Sequence, residues 1–192
     1  VELPNAQKHF VPFSSRRHQR SDIKRLMAEK AVTFIESGDV IFDGKRINGM
    51  PPHKRNVNTV FQKYSLFPHL NVYDNVAFGL RLVRPKLSKK EINTRVLEML
   101  EVVSLKGFEH RSVSSLSGGQ QQRVAIARAV VGGPKLILAD EPTGNLDSKN
   151  GHEVMTLLSQ LHKEGCTVVM VTHSRHDAGY ADRIVNLFDG QV

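Results

Sequence analysis

The sequence predicts an α/β fold built on a parallel sheet, and three observations carry that reading. Pro134 to Ala139 and Thr167 to Thr172 are continuous apolar runs of strand length, the pattern of strands buried on both faces. Between them, Gly151 to Lys163 places its apolar residues at helical spacing, and Gly165 stands where a helix stops. A strand, a helical crossover and a second strand, in that order, set the two strands side by side and parallel.

The remaining elements follow along the chain. Residues 1–36 carry the least pattern, because Pro4, Pro12 and Ser14-Ser15 interrupt it. From Asp22 to about Thr33 there is a helical tendency, with Ile23, Leu26, Met27 and Lys30 in step and Ser21 as the cap. Val40-Ile41-Phe42 begins a strand, and Asp43-Gly44 turns it back into Lys45-Arg46-Ile47 as a hairpin. Val57 to Gln62 is a further strand, Ser65 to Leu70 an apolar loop, and Val72 to Leu82 a helix. Ser88-Lys89-Lys90-Glu91 is a capping box. It opens a helix to about Val103 whose apolar face is Ile92, Val96, Leu97, Leu100 and Val103. Gln120 to Val131 is helical. Arg183 to Phe188, Asp189-Gly190 and the last residues make a terminal hairpin.

A chain of 192 residues, 40% of them hydrophobic, makes one domain with room for a subdomain. No apolar run approaches the roughly 18 residues of a membrane span, and the start has no signal-peptide pattern. The first residue is Val1 rather than Met, as expected if the true N-terminus is missing. Cys166 is the single cysteine, which allows no internal disulfide and fits a reducing cytosol. It reads as a small apolar residue rather than a nucleophile. The net charge is +8, partly from Arg16-Arg17-His18-Gln19-Arg20 and Lys24-Arg25. A solvated basic face, an anionic membrane surface and nucleic acid compete to explain it. No nucleic-acid-binding motif accompanies the charge, so no nucleic-acid partner is expected.

Chemistry concentrates at a few points. Leu116-Ser117-Gly118-Gly119-Gln120 is glycine-rich and opens a helix, so backbone N–H groups face outward at its positive end. A plain glycine-rich helix start calls for neither Gln120 nor Leu116. Leu136 to Ala139 runs into Asp140-Glu141. A carboxylate at the end of a buried strand reaches Mg²⁺ at the sheet's carboxyl edge, and a second one beside it polarises an attacking water. An Asp-Glu pair after a strand is often only a solvated turn. Pro142-Thr143-Gly144-Asn145-Leu146-Asp147 behind it favours function. His173 ends one strand and Gln62 another, and both residue types are usually bland there.

Residues 37–192 resemble the ATP-binding-cassette (ABC) transporter ATPases. Val60-Phe61-Gln62 is similar to the Q-loop, Leu116 to Gln120 to the signature, and Leu136 to Glu141 to the Walker B motif. Asn145-Leu146-Asp147 is similar to the D-loop and Val171-Thr172-His173 to the H-loop. The style changes along the chain. Residues 37–130 resemble spermidine/putrescine-type importer ATPases, and residues 131–192 the macrolide-export and lipoprotein-release type, as in a recombined, chimeric or truncated chain. The resemblance implies a P-loop NTPase-like core with a helical signature subdomain over about 72–130. It implies ATP and Mg²⁺ as cofactors, with Glu141, His173 and Gln62 catalytic. Ser117, Gly118, Gly119, Gln120 and Asp147 would contact nucleotide, and Asp140 and Gln62 the metal. It implies permease subunits and a second cassette as partners, at the cytoplasmic face of the inner or plasma membrane.

One expected motif does not occur: G-x-x-x-x-G-K-[ST], the Walker A loop whose glycines wrap phosphates. Residues 1–36 stand in its place as an atypical segment, with Phe10 and Phe13 as weak candidates to stack on a base. The expectation is an ABC transporter subunit impaired in ATP hydrolysis. The alternative is a regulatory or scaffold module that hydrolyses nothing.

Overall fold

The computed structural model describes residues 40–51, 54–83 and 85–187. The helix expected near Asp22, the phenylalanines at 10 and 13, and residues 188–192 of the terminal hairpin lie outside these. The chain divides into a unit of residues 53–184 and a smaller one, described over 40–51 and 185–187.

In the smaller unit, β1 (Ile41–Phe42) pairs antiparallel with β2 (Lys45–Arg46) in the register Ile41 to Arg46 and Phe42 to Lys45. Asp43 and Gly44 have φ of 51° and 70°. Positive φ at both central residues is the turn whose twist matches a two-residue hairpin, and Asp-Gly adopts it at low strain.

In the larger unit, β3 (Val57–Val60), β4 (Leu136–Asp140) and β5 (Thr167–Val171) form a parallel sheet in that order. Val60 pairs with Ala139, which pairs with Met170. The connection from β3 to β4 carries three helices: α1 (Val72–Leu80), α2 (Lys89–Val102) and α3 (Gly118–Val130). The connection from β4 to β5 is α4 (Ser148–Lys163), and α5 (Arg175–Ala178) follows β5. The Ser88 box forms: its hydroxyl accepts from the Glu91 N–H at 3.2 Å, and the Glu91 carboxylate accepts from the Ser88 N–H at 2.8 Å. The core joins Val60, Val76, Leu80, Val96, Leu100, Ile126, Ile137, Val154 and Leu158, drawn from sheet and helices alike.

Three expectations need correction. The strands are not buried on both faces. Val60, Ile137 and Ala139 are buried on one side, where Asn58 Nδ2 donates to the Ala129 carbonyl of α3 at 2.5 Å. On the other side Leu138, Val169 and Val171 are 37%, 51% and 58% exposed, because no described helix covers them. Second, Leu97 is exposed, since the α2 face is narrower than its apolar residues and only Val96 and Leu100 of the helix are buried. Third, residues 183–187 form no strand, so the first arm of the terminal hairpin is absent from the described residues.

Candidate functional site

Three parallel strands end at the same edge, and the residues just past their ends meet there. This is where open α/β sheets place ligands. Asp140 is the half-buried last residue of β4. Glu141 follows with φ 47°, a left-handed conformation that costs a non-glycine residue about 1–3 kcal/mol and persists only when neighbours enforce it. Two neighbours do. The Glu141 N–H donates to the Val171 carbonyl at 2.9 Å, and Glu141 Oε1 accepts from the His173 N–H at 3.0 Å. The backbone turn therefore sets the Glu141 carboxylate against the main chain just past β5.

His173 meets Glu141 through its main chain. Its imidazole is 93% exposed, with Nε2 at 3.7 Å from the carboxylate. At that distance the ring is a loose neighbour, and the backbone amide fixes the carboxylate. Gln62 lies two residues past β3, in a turn rather than at the strand end as expected. Its carbonyl accepts from Asn145 Nδ2 at 2.8 Å. A Cβ on Gly144 would fall 2.7 Å from Gln62 Nε2 and 3.4 Å from Glu141 Cβ, so both side chains border Gly144. Gln62, Glu141 and His173 are thus brought together.

The glycine-rich turn is built around α3. Ser117 is its N-cap, with the hydroxyl accepting from the Gln120 N–H at 3.3 Å and Gln120 Oε1 accepting from the Ser117 N–H at 3.0 Å. Leu116 is buried in the core. Gln120 and Leu116 therefore do have ordinary structural work, contrary to the expectation that a plain helix start calls for neither. Gly119 is buried against α4, where a Cβ would lie 2.9 Å from Asn150 Cβ and closer still to its amide. Asp147 is the N-cap of α4, accepting from the Asn150 N–H at 2.9 Å and Asn150 Nδ2 at 2.6 Å. Asn150 thus links Gly119 to Asp147.

An ABC transporter family description matches residues 20–144, which begin ahead of the resemblance over residues 37–192. This chain belongs to the ABC transporter family. It is 51% identical to the "Spermidine/putrescine import ATP-binding protein PotA" of Clostridioides difficile (strain 630), over 100% of the chain and 60% of that protein. It is 51% identical to the protein of the same name from Clostridium novyi (strain NT), over 81% of the chain and 45% of that protein. The chain thus spans about half the length of the curated relatives it matches. Among solved structures, it superposes at TM-score 0.71 and 37% identity on the ATP-binding cassette MJ0796, covering 86% of this chain and 78% of that one. One of those structures is a dimer in a post-hydrolysis state bound to ADP and Pi.

The cassette uses residues that the motifs did not single out. Gln122 is fully buried and donates to the Pro142 carbonyl at 2.7 Å, which ties α3 to the turn behind Glu141. Its signal was present: Gly119, Gln122, Ile126 and Val130 fall on one buried stripe of the helix. Thr143 donates from Oγ1 to the buried Asp177 at 2.5 Å, joining the same turn to α5. Cys166 packs half-buried against the core, and burial pushes its thiol up, away from the thiolate a nucleophile needs.

The Asn150 N–H and then its side-chain amide hold the Asp147 carboxyl below the ordinary aspartate range. A depressed folded pKa gives stability that is present above the unfolded value and lost as pH falls through the folded one. The cap on α4 should therefore persist at neutral pH and release only below the ordinary aspartate range. Titrating the Asn150 side-chain amide resonances checks this. A midpoint at the ordinary aspartate value would show that the cap does not favour the ionised form.

Proposed function

We propose that this cassette is the ATP-binding subunit of an ABC transporter, coupling ATP binding and hydrolysis to transport across a membrane. The supporting observation is the convergence of Gln62, Glu141 and His173 at the carboxyl ends of three parallel strands, with Glu141 held in a strained conformation. In this reading Glu141 orients the attacking water, with Gln62 and His173 beside the reacting phosphate. Asp140 and Gln62 hold the metal. Ser117, Gly118, Gly119, Gln120 and Asp147 face nucleotide.

The donor set fits Mg²⁺ carried by nucleotide. The described residues contain no cluster of three ligands able to hold a metal alone. Mg²⁺ in phosphoryl-transfer sites commonly takes one or two carboxylates and completes its shell with phosphates and water. Bound ATP would supply the phosphoryl group, and the α3 N-terminus offers its positive end to phosphate.

The named relatives point to spermidine/putrescine import as the transport class. The partners are permease subunits and a second cassette, at the cytoplasmic face of the membrane. Half-buried Leu66, Phe67 and Leu70, with exposed Phe61 and Phe78, provide an apolar surface for a permease. No described helix is long and apolar enough to cross a membrane.

The absent G-x-x-x-x-G-K-[ST] motif argues for weak ATP binding and negligible hydrolysis by the chain alone. The signature would then serve a competent partner in trans. A titration with Mg-ATP and a phosphate-release assay test this, first alone and then with a Walker A-competent cassette whose own signature is disabled. Turnover restored only in the mixture, and lost with Ser117→Arg, supports the reading. Micromolar affinity with steady turnover abolished by Glu141→Gln would overturn the impairment. No turnover in either case would favour a regulatory or scaffold module.

A further inference from the structure

The loop after Gln62 is strained in a way its sequence does not require. Tyr64 and Ser65 have φ of 32° and 49°, and neither is glycine. Two consecutive left-handed residues persist only where neighbours hold them. The holder is Arg128 near the end of α3. Its Nη1 donates to the Ser65 carbonyl at 2.8 Å and its Nη2 to the Tyr64 carbonyl at 3.3 Å. Its guanidinium carbon lies 5.2 Å from the centre of the Phe67 ring. A planar fork reaching two adjacent carbonyls while facing a ring is work that arginine can do and lysine cannot.

The other end of Tyr64 lies elsewhere on the same helix. A Cβ on Gly118 would fall 2.7 Å from the Tyr64 hydroxyl oxygen, so that hydroxyl rests against the first residue of α3. Residues 118 and 128 are separated by about 15 Å of helix axis. The Arg128 side chain and the tyrosine ring together bridge that length. Tyr64 is held at its carbonyl by one end of α3 and rests its hydroxyl on the other.

We propose that Arg128 is a positioning residue that fixes the loop after Gln62 to the signature turn, with Tyr64 as the arm between them. Displacing Leu66, Phe67 or Leu70 moves the Tyr64 carbonyl, and the hydroxyl at Gly118 moves with it. The geometry stands by itself, and only its use in coupling rests on the reading of the chain as a transporter subunit.

The chain has three tyrosines, so 3-fluorotyrosine labelling gives three fluorine resonances, and Tyr64→Phe identifies one of them. Arg128→Met is expected to shift and broaden the Tyr64 resonance while leaving that of Tyr180 in place. Losing charge-assisted hydrogen bonds should raise amide exchange over residues 63–67 and 118–121 together, by about tenfold. Residues 136–140 and 167–171 should keep their protection. Arg128→Lys, which keeps the charge without the fork, should move the same resonance less. Gly118→Ala should move it from the opposite end. If Arg128→Met also strips protection from 136–140, the lysine and Gly118→Ala variants decide. A Tyr64 resonance unmoved in both would overturn the proposal. So would faster exchange at 63–67 with none at 118–121. No nucleotide enters these measurements, so a failure of the ATPase reading leaves them intact and is seen separately in the titration.

Discussion

Asn75→Ala is expected to destabilise the larger unit by about 3 kcal/mol, because each buried group left unsatisfied costs about 1–3 kcal/mol. Asn75 is fully buried on α1. Its Oδ1 accepts from the Phe67 N–H at 2.8 Å, and its Nδ2 donates to the carbonyls of Phe67, Leu70 and Asn71 at 3.1, 3.1 and 3.0 Å. Two of those carbonyls have other partners: Phe67 O accepts from the Leu70 N–H, and Asn71 O from the Asn75 N–H. The Phe67 amide and the Leu70 carbonyl carry most of the loss. Asn75→Asp should be worse at neutral pH, since an ionised carboxylate would face three carbonyls with no donor. Lowering the pH should partly restore that variant, because a protonated carboxyl regains one donor. Urea unfolding of both variants at two pH values measures this. A loss under about 1 kcal/mol for alanine would mean that water replaces the side chain.

Asn75 also shows where sequence reading stops. Its neighbours gave a helix over residues 72–82, of which 72–80 is helical, because helical spacing is local. That a polar residue on that helix should be as fully buried as Val72, Val76 and Ala77 depends on a loop passing over it. Local chemistry was legible in the same way at Asp43-Gly44, whose turn needs positive φ, and at Ser88-Glu91, whose two side-chain bonds need only a spacing of three. The motif positions were legible too. Glu141 follows its strand directly, while Gln62 and His173 lie two residues beyond the strands they were expected to end, and parallel strands still bring all three to one edge. What was lost is long-range. Tyr64 meets Gly118 across 54 residues, and nothing near either announces it. The apolar runs at 134–139 and 167–172 promised burial on both faces. One face is open at Leu138, Val169 and Val171, since covering it takes a helix that the described residues do not provide. The structural work of Gln120 is hidden for the opposite reason. Its bond to Ser117 is the same capping chemistry recognised at Ser88, but the glycines between drew attention to phosphate instead.

Gly119→Ala should be the most damaging single methyl in the signature turn, with a cost of about 1–3 kcal/mol from overpacking. The new Cβ would fall inside the Asn150 side chain and 2.9 Å from its Cβ, so the conflict cannot be relieved by rotating the amide alone. Asn150 is itself pinned by Asp147 at 2.9 and 2.6 Å. To make room, α4 must shift as a body or release its cap. The expected result is a lowered urea midpoint together with an Asp147 carboxyl that returns toward its ordinary pKa, because the donors that depress it have moved. Asn150→Ala removes the side-chain amide, which is the nearest part of the obstacle and one of the two donors to Asp147, while its Cβ and its capping N–H stay. It is destabilising alone, but combined with Gly119→Ala it should cost less than the sum of the two. Contacting residues show coupling of about 0.5–3 kcal/mol in such a cycle. Strict additivity would show that α3 and α4 do not meet at Gly119. In that event the glycine would be needed for something other than the approach of these two helices.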